Sequence, residues 1–113
     1  MSAQDEQDEL CIALTTAGSV DEAQRLARML VERRLAACVN ILPGVRSIYR
    51  WQGAVEEAEE AMLVIKTSRA RADAVQTALR ETHSYDLPEF LLLPIAGGGA
   101  EYLVWLGDSL KSL

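Results

Sequence analysis

The chain alternates short apolar runs with stripes of helical period. Leu10-Cys11-Ile12-Ala13-Leu14-Thr15 is apolar on both faces, which predicts a strand inside a sheet and not at its edge. Ser19 followed by Glu22 forms a capping box. Ala23, Leu26, Ala27, Leu30 and Val31 then recur at helical spacing, with Arg25, Arg28 and Glu32 facing away. A second strand is expected from near Ala36 to Trp51, bent at Pro43-Gly44 because proline has no N–H for the ladder. Gln52-Gly53 reads as a tight turn, and Ala54 to Thr67 returns as the third strand. Ser68 is expected to cap a helix carrying Ala72, Val75, Ala78 and Leu79. Phe90 to Ile95 is the last strand, and an amphipathic helix with Leu103, Leu106, Leu110 and Leu113 closes the chain.

Strand, helix, strand, strand, helix, strand is the split βαβ order. It predicts an α/β ferredoxin-like sandwich: an antiparallel sheet with both helices on one face, a long β-hairpin arm and a C-terminal helix. With the turn at Gln52-Gly53, Arg50 faces Val55, Ile48 faces Glu57 and Arg46 faces Glu59, while Val45, Ser47, Tyr49 and Trp51 share the other side. A two-stranded arm is marginal in water by itself. One that carries Tyr49 and Trp51 is expected to lie against another subunit, and the uncovered face of the sheet calls for the same partner. A homo-oligomer follows.

Composition bounds the class. At 113 residues and 50% hydrophobic, the chain makes one domain, residues 10–113, that buries roughly two thirds of its unfolded surface. Residues 1–9 read as a flexible acidic tail. A net charge of −6 argues against nucleic acid and anionic membranes as partners, since both require basic residues at the contact. The longest apolar stretch, Phe90 to Ala96, is too short for a bilayer, and Met1 to Glu9 is the reverse of a signal peptide, so the expected location is cytoplasmic. Cys11 and Cys38 sit in apolar runs with no CxxC spacing; they are expected to be packed, free thiols of a reducing compartment.

Candidate chemistry centres on His83, the only histidine, in Glu81-Thr82-His83-Ser84-Tyr85-Asp86-Leu87-Pro88-Glu89. It is either a metal-ligating or titrating group or a hydrogen-bonded structural residue. Glu56, Glu57, Glu59 and Glu60 are either a metal-binding patch or a solvated edge that blocks strand-to-strand aggregation. Gly97-Gly98-Gly99 lacks the spacing of a phosphate loop, and no Ser-His-Asp order or metal-binding His pair is present, so an enzyme is not expected.

Leu35-Ala36-Ala37-Cys38-Val39-Asn40-Ile41, Pro43 through Gly53, Lys66-Thr67, His83 through Glu89 and Tyr102-Leu103-Val104-Trp105-Leu106 together resemble the CutA divalent-cation-tolerance family, in order and over roughly Leu10 to Leu110. The resemblance implies a compact homotrimer of ferredoxin-like subunits, similar to the PII signalling proteins, in which long hairpins join neighbouring sheets. It also implies a role in tolerance to copper and other divalent ions. The copper-binding members have a cysteine where this chain has Thr15 and a second histidine where it has Thr82, so two soft or imidazole donors of that set are missing.

What the resemblance implies for sites is an interface pocket. His83 and Asp86 are the expected ligands of copper or another divalent cation, bound weakly and not as a required cofactor. Lys66, Tyr85, Glu89, Trp51 and Cys38 are the expected ligand-binding residues. Lys66 needs a carboxylate partner, Glu89 or Asp86, or must snorkel to water. Cys38 and Trp51 are either packing residues or part of the pocket. The alternative function is a PII-like signalling or scaffold protein that acts through protein partners, whose identity the sequence leaves unknown.

Overall fold

The computed structural model describes residues 9–111. Most of the acidic stretch 1–9, and Leu113 of the closing helix, lie outside the described residues. Glu9 itself is held: its carbonyl accepts from the Arg69 N–H at 2.8 Å and its carboxylate pairs with the Arg69 side chain at 3.3 Å.

The elements are β1 (Leu10–Ala17), α1 (Val20–Glu32), β2 (Cys38–Trp51), β3 (Ala54–Ser68), a 3₁₀ turn (Arg69–Arg71), α2 (Ala72–Thr82), β4 (Leu91–Pro94) and α3 (Ala100–Leu110). They form one antiparallel sheet in the order β2-β3-β1-β4, the split βαβ arrangement. Along β1 and β3 every second residue turns to the helices. Ala13, Ala17, Leu63 and Ile65 meet Ala23, Leu26 and Leu30 of α1 and Val75 and Leu79 of α2 in a single core. Val31 does not join it and remains 40% exposed. Leu106 and Leu110 of α3 are buried outside that cluster, and α3 packs against β3. Two arginines tie its C-terminus down: Arg34 donates to the Ser109 carbonyl at 3.0 Å and Arg71 to that of Leu110 at 2.5 Å.

β2 and β3 pair with the expected facing residues, including Arg50 with Val55, Ile48 with Glu57 and Arg46 with Glu59. The register shifts between Leu42 and Val45, where Pro43 removes a donor and Gly44 takes a positive φ of 69°. Pairing of β1 with β3 stops at Ala17 and Ala61. Beyond that point β2 and β3 run on as a free two-stranded ribbon from Val45 and Glu60 to Trp51 and Ala54. The ribbon is why the molecule measures 45 × 27 × 26 Å. Its turn has φ of 49° at Gln52 and 85° at Gly53, the left-handed pair that matches strand twist. Gly53→Ala is expected to cost about 1 kcal/mol, because a Cβ is disfavoured in that region; a urea midpoint equal to wild type would contradict it.

Two expectations fail locally. Ser68 precedes the 3₁₀ turn and makes no side-chain cap; its hydroxyl accepts from Arg71 at 3.3 Å, and the residue preceding α2 is Arg71. The last strand covers only Leu91 to Pro94, the residues laddered with Cys11 to Leu14 of β1; Ile95 adds a single N–H bond to the Leu10 carbonyl at 3.1 Å.

Candidate functional site

α2 ends at Thr82, and the chain turns through His83 in an extended conformation toward β4. The His83 side chain is fully buried. Nδ1 accepts the Tyr85 N–H at 3.0 Å, which leaves the proton on Nε2 to be donated to the Thr16 carbonyl at 2.6 Å. The ring also packs on Tyr85 with centroids 4.7 Å apart. Both nitrogens are thus committed to backbone groups, so the expectation that His83 ligates a metal does not hold in this arrangement: no lone pair is free. The imidazole locks the corner onto β1.

The corner is anchored a second time by Glu22, which sequence reasoning placed only in a capping box. The box is half realised: the Ser19 hydroxyl accepts the Glu22 N–H at 3.1 Å, but the Glu22 carboxylate bypasses Ser19. One oxygen accepts the Gly18 N–H at 3.2 Å and the Ser84 hydroxyl at 3.0 Å. The other accepts the Ser84 N–H at 2.8 Å. Burial alone would raise this carboxyl, but the bonds from Ser84 and Gly18 outweigh it and hold its pKa below the usual range. Thr15 and Thr82 are likewise engaged, Thr15 donating to the Glu89 carbonyl at 2.6 Å and Thr82 to that of Ala78 at 2.7 Å. Thr15 therefore fixes the approach to β4.

Held this way, the corner forms one wall of a cleft of about 600 Å³ whose other wall is the ribbon. Trp51, Tyr85, Asp86 and Glu89, named from sequence, line it together, joined by Tyr49, Glu56 and Glu60. The Tyr85 hydroxyl donates to Glu60 at 2.9 Å and crosses from corner to ribbon. Burial, then that bond and the nearby Glu60, Glu22 and Tyr49, push its pKa up to about 12, so it stays a donor. Gly18 makes room for the ring, since a Cβ there would stand 3.3 Å from the Tyr85 hydroxyl. None of the lining residues is basic.

Cys38 and Lys66 are not in this cleft. They pair across β2 and β3, while Thr16 at the cleft is level with Met62, four residues or roughly 13 Å along the strand. Lys66 does not reach Glu89 or Asp86; its ammonium donates to Asn40 and to the Cys38 sulfur. Cys11 is buried as expected, but Cys38 is only half-buried.

The CutA1 divalent ion tolerance protein family matches residues 11–109 of this chain. A divalent-cation tolerance protein CutA of Pectobacterium atrosepticum is 47% identical over 100 residues, 88% of this chain and 91% of that protein. One from Thermus thermophilus is 46% identical over 98 residues, 87% of this chain and 95% of the relative. Among solved structures, CutA1 from Oryza sativa superposes with a TM-score of 0.89 at 38% identity, covering 93% of this chain and 96% of that one. The CutA1 structure from Thermus thermophilus gives a TM-score of 0.86 at 45% identity, over 88% and 97%.

Proposed function

The chain belongs to the CutA1 divalent ion tolerance protein family, and on that footing we propose that it serves divalent-cation tolerance as a cytoplasmic homotrimer, binding cations or a small ligand beside the corner at the subunit interface. It acts as a binding protein and not as an enzyme. The observation that carries this reading is the cleft itself: Glu56, Glu60, Asp86 and Glu89 line it with no basic side chain among them. Like charges gathered in one concavity favour a cation, and carboxylate oxygens suit hard or hydrated divalent ions.

A copper site of imidazole and thiolate type does not fit, because His83 is engaged through both nitrogens and Thr15 and Thr82 offer hydroxyls already bonded to backbone. Among the described residues of one chain, no group of three His, Cys, Asp or Glu side chains converges closely enough to hold an ion. Binding is therefore weak within one subunit and is completed by water or by a neighbouring copy. Leu42, Ile48, Trp51, Val55, Leu91 and Leu93 are each more than 40% exposed and spread over the ribbon, β4 and the open sheet face, which supports association through those surfaces.

Calorimetric titration with copper, zinc and manganese tests the site. Weak binding is expected in the wild type, reduced about tenfold in Asp86→Asn or Glu89→Gln, a loss of about 1.4 kcal/mol. Heats unchanged in both variants would place the ion elsewhere. Silence with every ion would favour the scaffold reading, with the exposed ribbon as its docking element.

A further inference from the structure

Past the pair of Ala17 with Ala61 the ribbon has no β1 beside it, and its first pair beyond that point is Val45 with Glu60. A hinge stands at the same level. The register shift between Leu42 and Val45, with Gly44 at a φ of 69°, breaks the ladder where the ribbon leaves the sheet. From Glu60 to Ala54 the ribbon continues for roughly 20 Å at about 3.3 Å per residue, so a small swing at its root becomes a large displacement at the turn.

Among the described residues one side-chain hydrogen bond joins the corner to this root, from the Tyr85 hydroxyl to Glu60 at 2.9 Å. Its corner end is fixed. The Tyr85 N–H is bonded to His83 Nδ1, the ring packs on the imidazole, and His83 is tied to the Thr16 carbonyl. The ribbon end has less to hold it: Glu60 enters no ion pair among the described residues. Glu56 and Glu60 on the ribbon and Asp86 and Glu89 on the corner line the cleft with no base beside them, and like charges on two walls push the walls apart.

We propose that the bond from Tyr85 to Glu60 is a strap that holds the ribbon to the corner and sets the width of the cleft, with Tyr85 as its positioning residue, and that a closed strap and a cation in the cleft reinforce each other. The coupling rests on the cation reading above; the strap does not. No three ligating side chains converge among the described residues, so a cation gains from carboxylates on both walls only while the walls stay close. It therefore favours the closed ribbon, and a ribbon already closed binds it more tightly by the same factor.

The test compares wild type, Tyr85→Phe and Glu60→Gln by amide hydrogen exchange read by mass spectrometry, with and without manganese, using dilution to match their subunit number by sedimentation. Tyr85→Phe keeps the ring and removes the hydroxyl, whereas Glu60→Gln removes the charge and keeps an acceptor. Exchange across Val45 to Glu60 is expected to rise about tenfold in Tyr85→Phe, as loss of a bond to a charged acceptor allows, with α1 unchanged and Glu60→Gln within about threefold of wild type. Manganese affinity measured by calorimetry should fall about tenfold in Tyr85→Phe although every carboxylate remains, and manganese should slow ribbon exchange in the wild type. Equal ribbon exchange in wild type and Tyr85→Phe overturns the strap. So does a rise spread evenly over the chain, or a Glu60→Gln ribbon as fast as that of Tyr85→Phe. A loosened ribbon with unchanged manganese affinity overturns the coupling. Absence of manganese binding in all three chains, with the expected exchange pattern, overturns the cation reading and supports the strap on its own.

Discussion

Glu22→Ala is expected to destabilise the protein by about 3 kcal/mol, the largest loss among single substitutions around the corner. The carboxylate accepts bonds from Gly18, from the Ser84 N–H and from the Ser84 hydroxyl. Removing it deletes three bonds to an ionised acceptor beside a buried imidazole, and hydrogen bonds to charged groups are the stronger kind. The same residue gives a pH signature. Its folded pKa lies below the unfolded value, so its contribution is complete above the ordinary carboxylate range and fades as pH falls through the lowered value. Glu22→Gln, which keeps one acceptor, should lose less stability and should flatten the acid limb of a urea-midpoint profile taken at fixed protein concentration. A Glu22→Ala midpoint equal to wild type would mean that His83, Thr15 and Tyr85 hold the corner without it.

Trp51→Glu is expected to weaken assembly by about 2 kcal/mol or more, as loss of a buried aromatic anchor does. Trp51 ends the ribbon at the pair with Ala54, where no third strand supports it, and stays 46% exposed in the single chain beside the acidic cleft. Sedimentation velocity decides the point: the wild type should remain trimeric at micromolar concentration and the variant should dissociate. A monomeric wild type would refute the proposed trimer. A fully trimeric variant would assign Trp51 to the cleft and not to the contact between subunits.

The parts of this molecule that depend on near neighbours in sequence were readable from it. Alternation along β2 and β3, with a glycine turn between them, specifies the facing pairs of the ribbon, and the helical stripes identify Leu26, Leu30, Val75 and Leu79 as core. The site was readable only in part. Trp51, Tyr85, Asp86 and Glu89 do meet in one cleft, but the partners that decide what His83 and Lys66 can do are set by the fold. His83 reaches a carbonyl 67 positions away, and Glu22 reaches Ser84 across 62. No local pattern carries such contacts. Lys66 was expected to find a carboxylate or reach water, yet cross-strand geometry offered it Asn40 and Cys38 first. Phe90 and Ile95 flank the ladder that pairs Leu91 to Pro94 with β1, Ile95 adding one N–H bond to the Leu10 carbonyl, so hydrophobicity alone overstated the length of β4.

The position of β1 between β3 and β4 also bears on how the chain is made. During synthesis β1 emerges first, yet both its neighbours lie far downstream: Leu14 pairs with Val64 on one side and with Leu91 on the other. Its backbone donors and acceptors must wait for them, whereas β2 and β3 can close on each other as soon as the Gln52-Gly53 turn is out. Such long-range closure slows folding. A ribosome-bound intermediate with a formed hairpin and an unpaired first strand is the species expected to need chaperone protection, and it persists until Leu91 to Pro94 have left the exit tunnel.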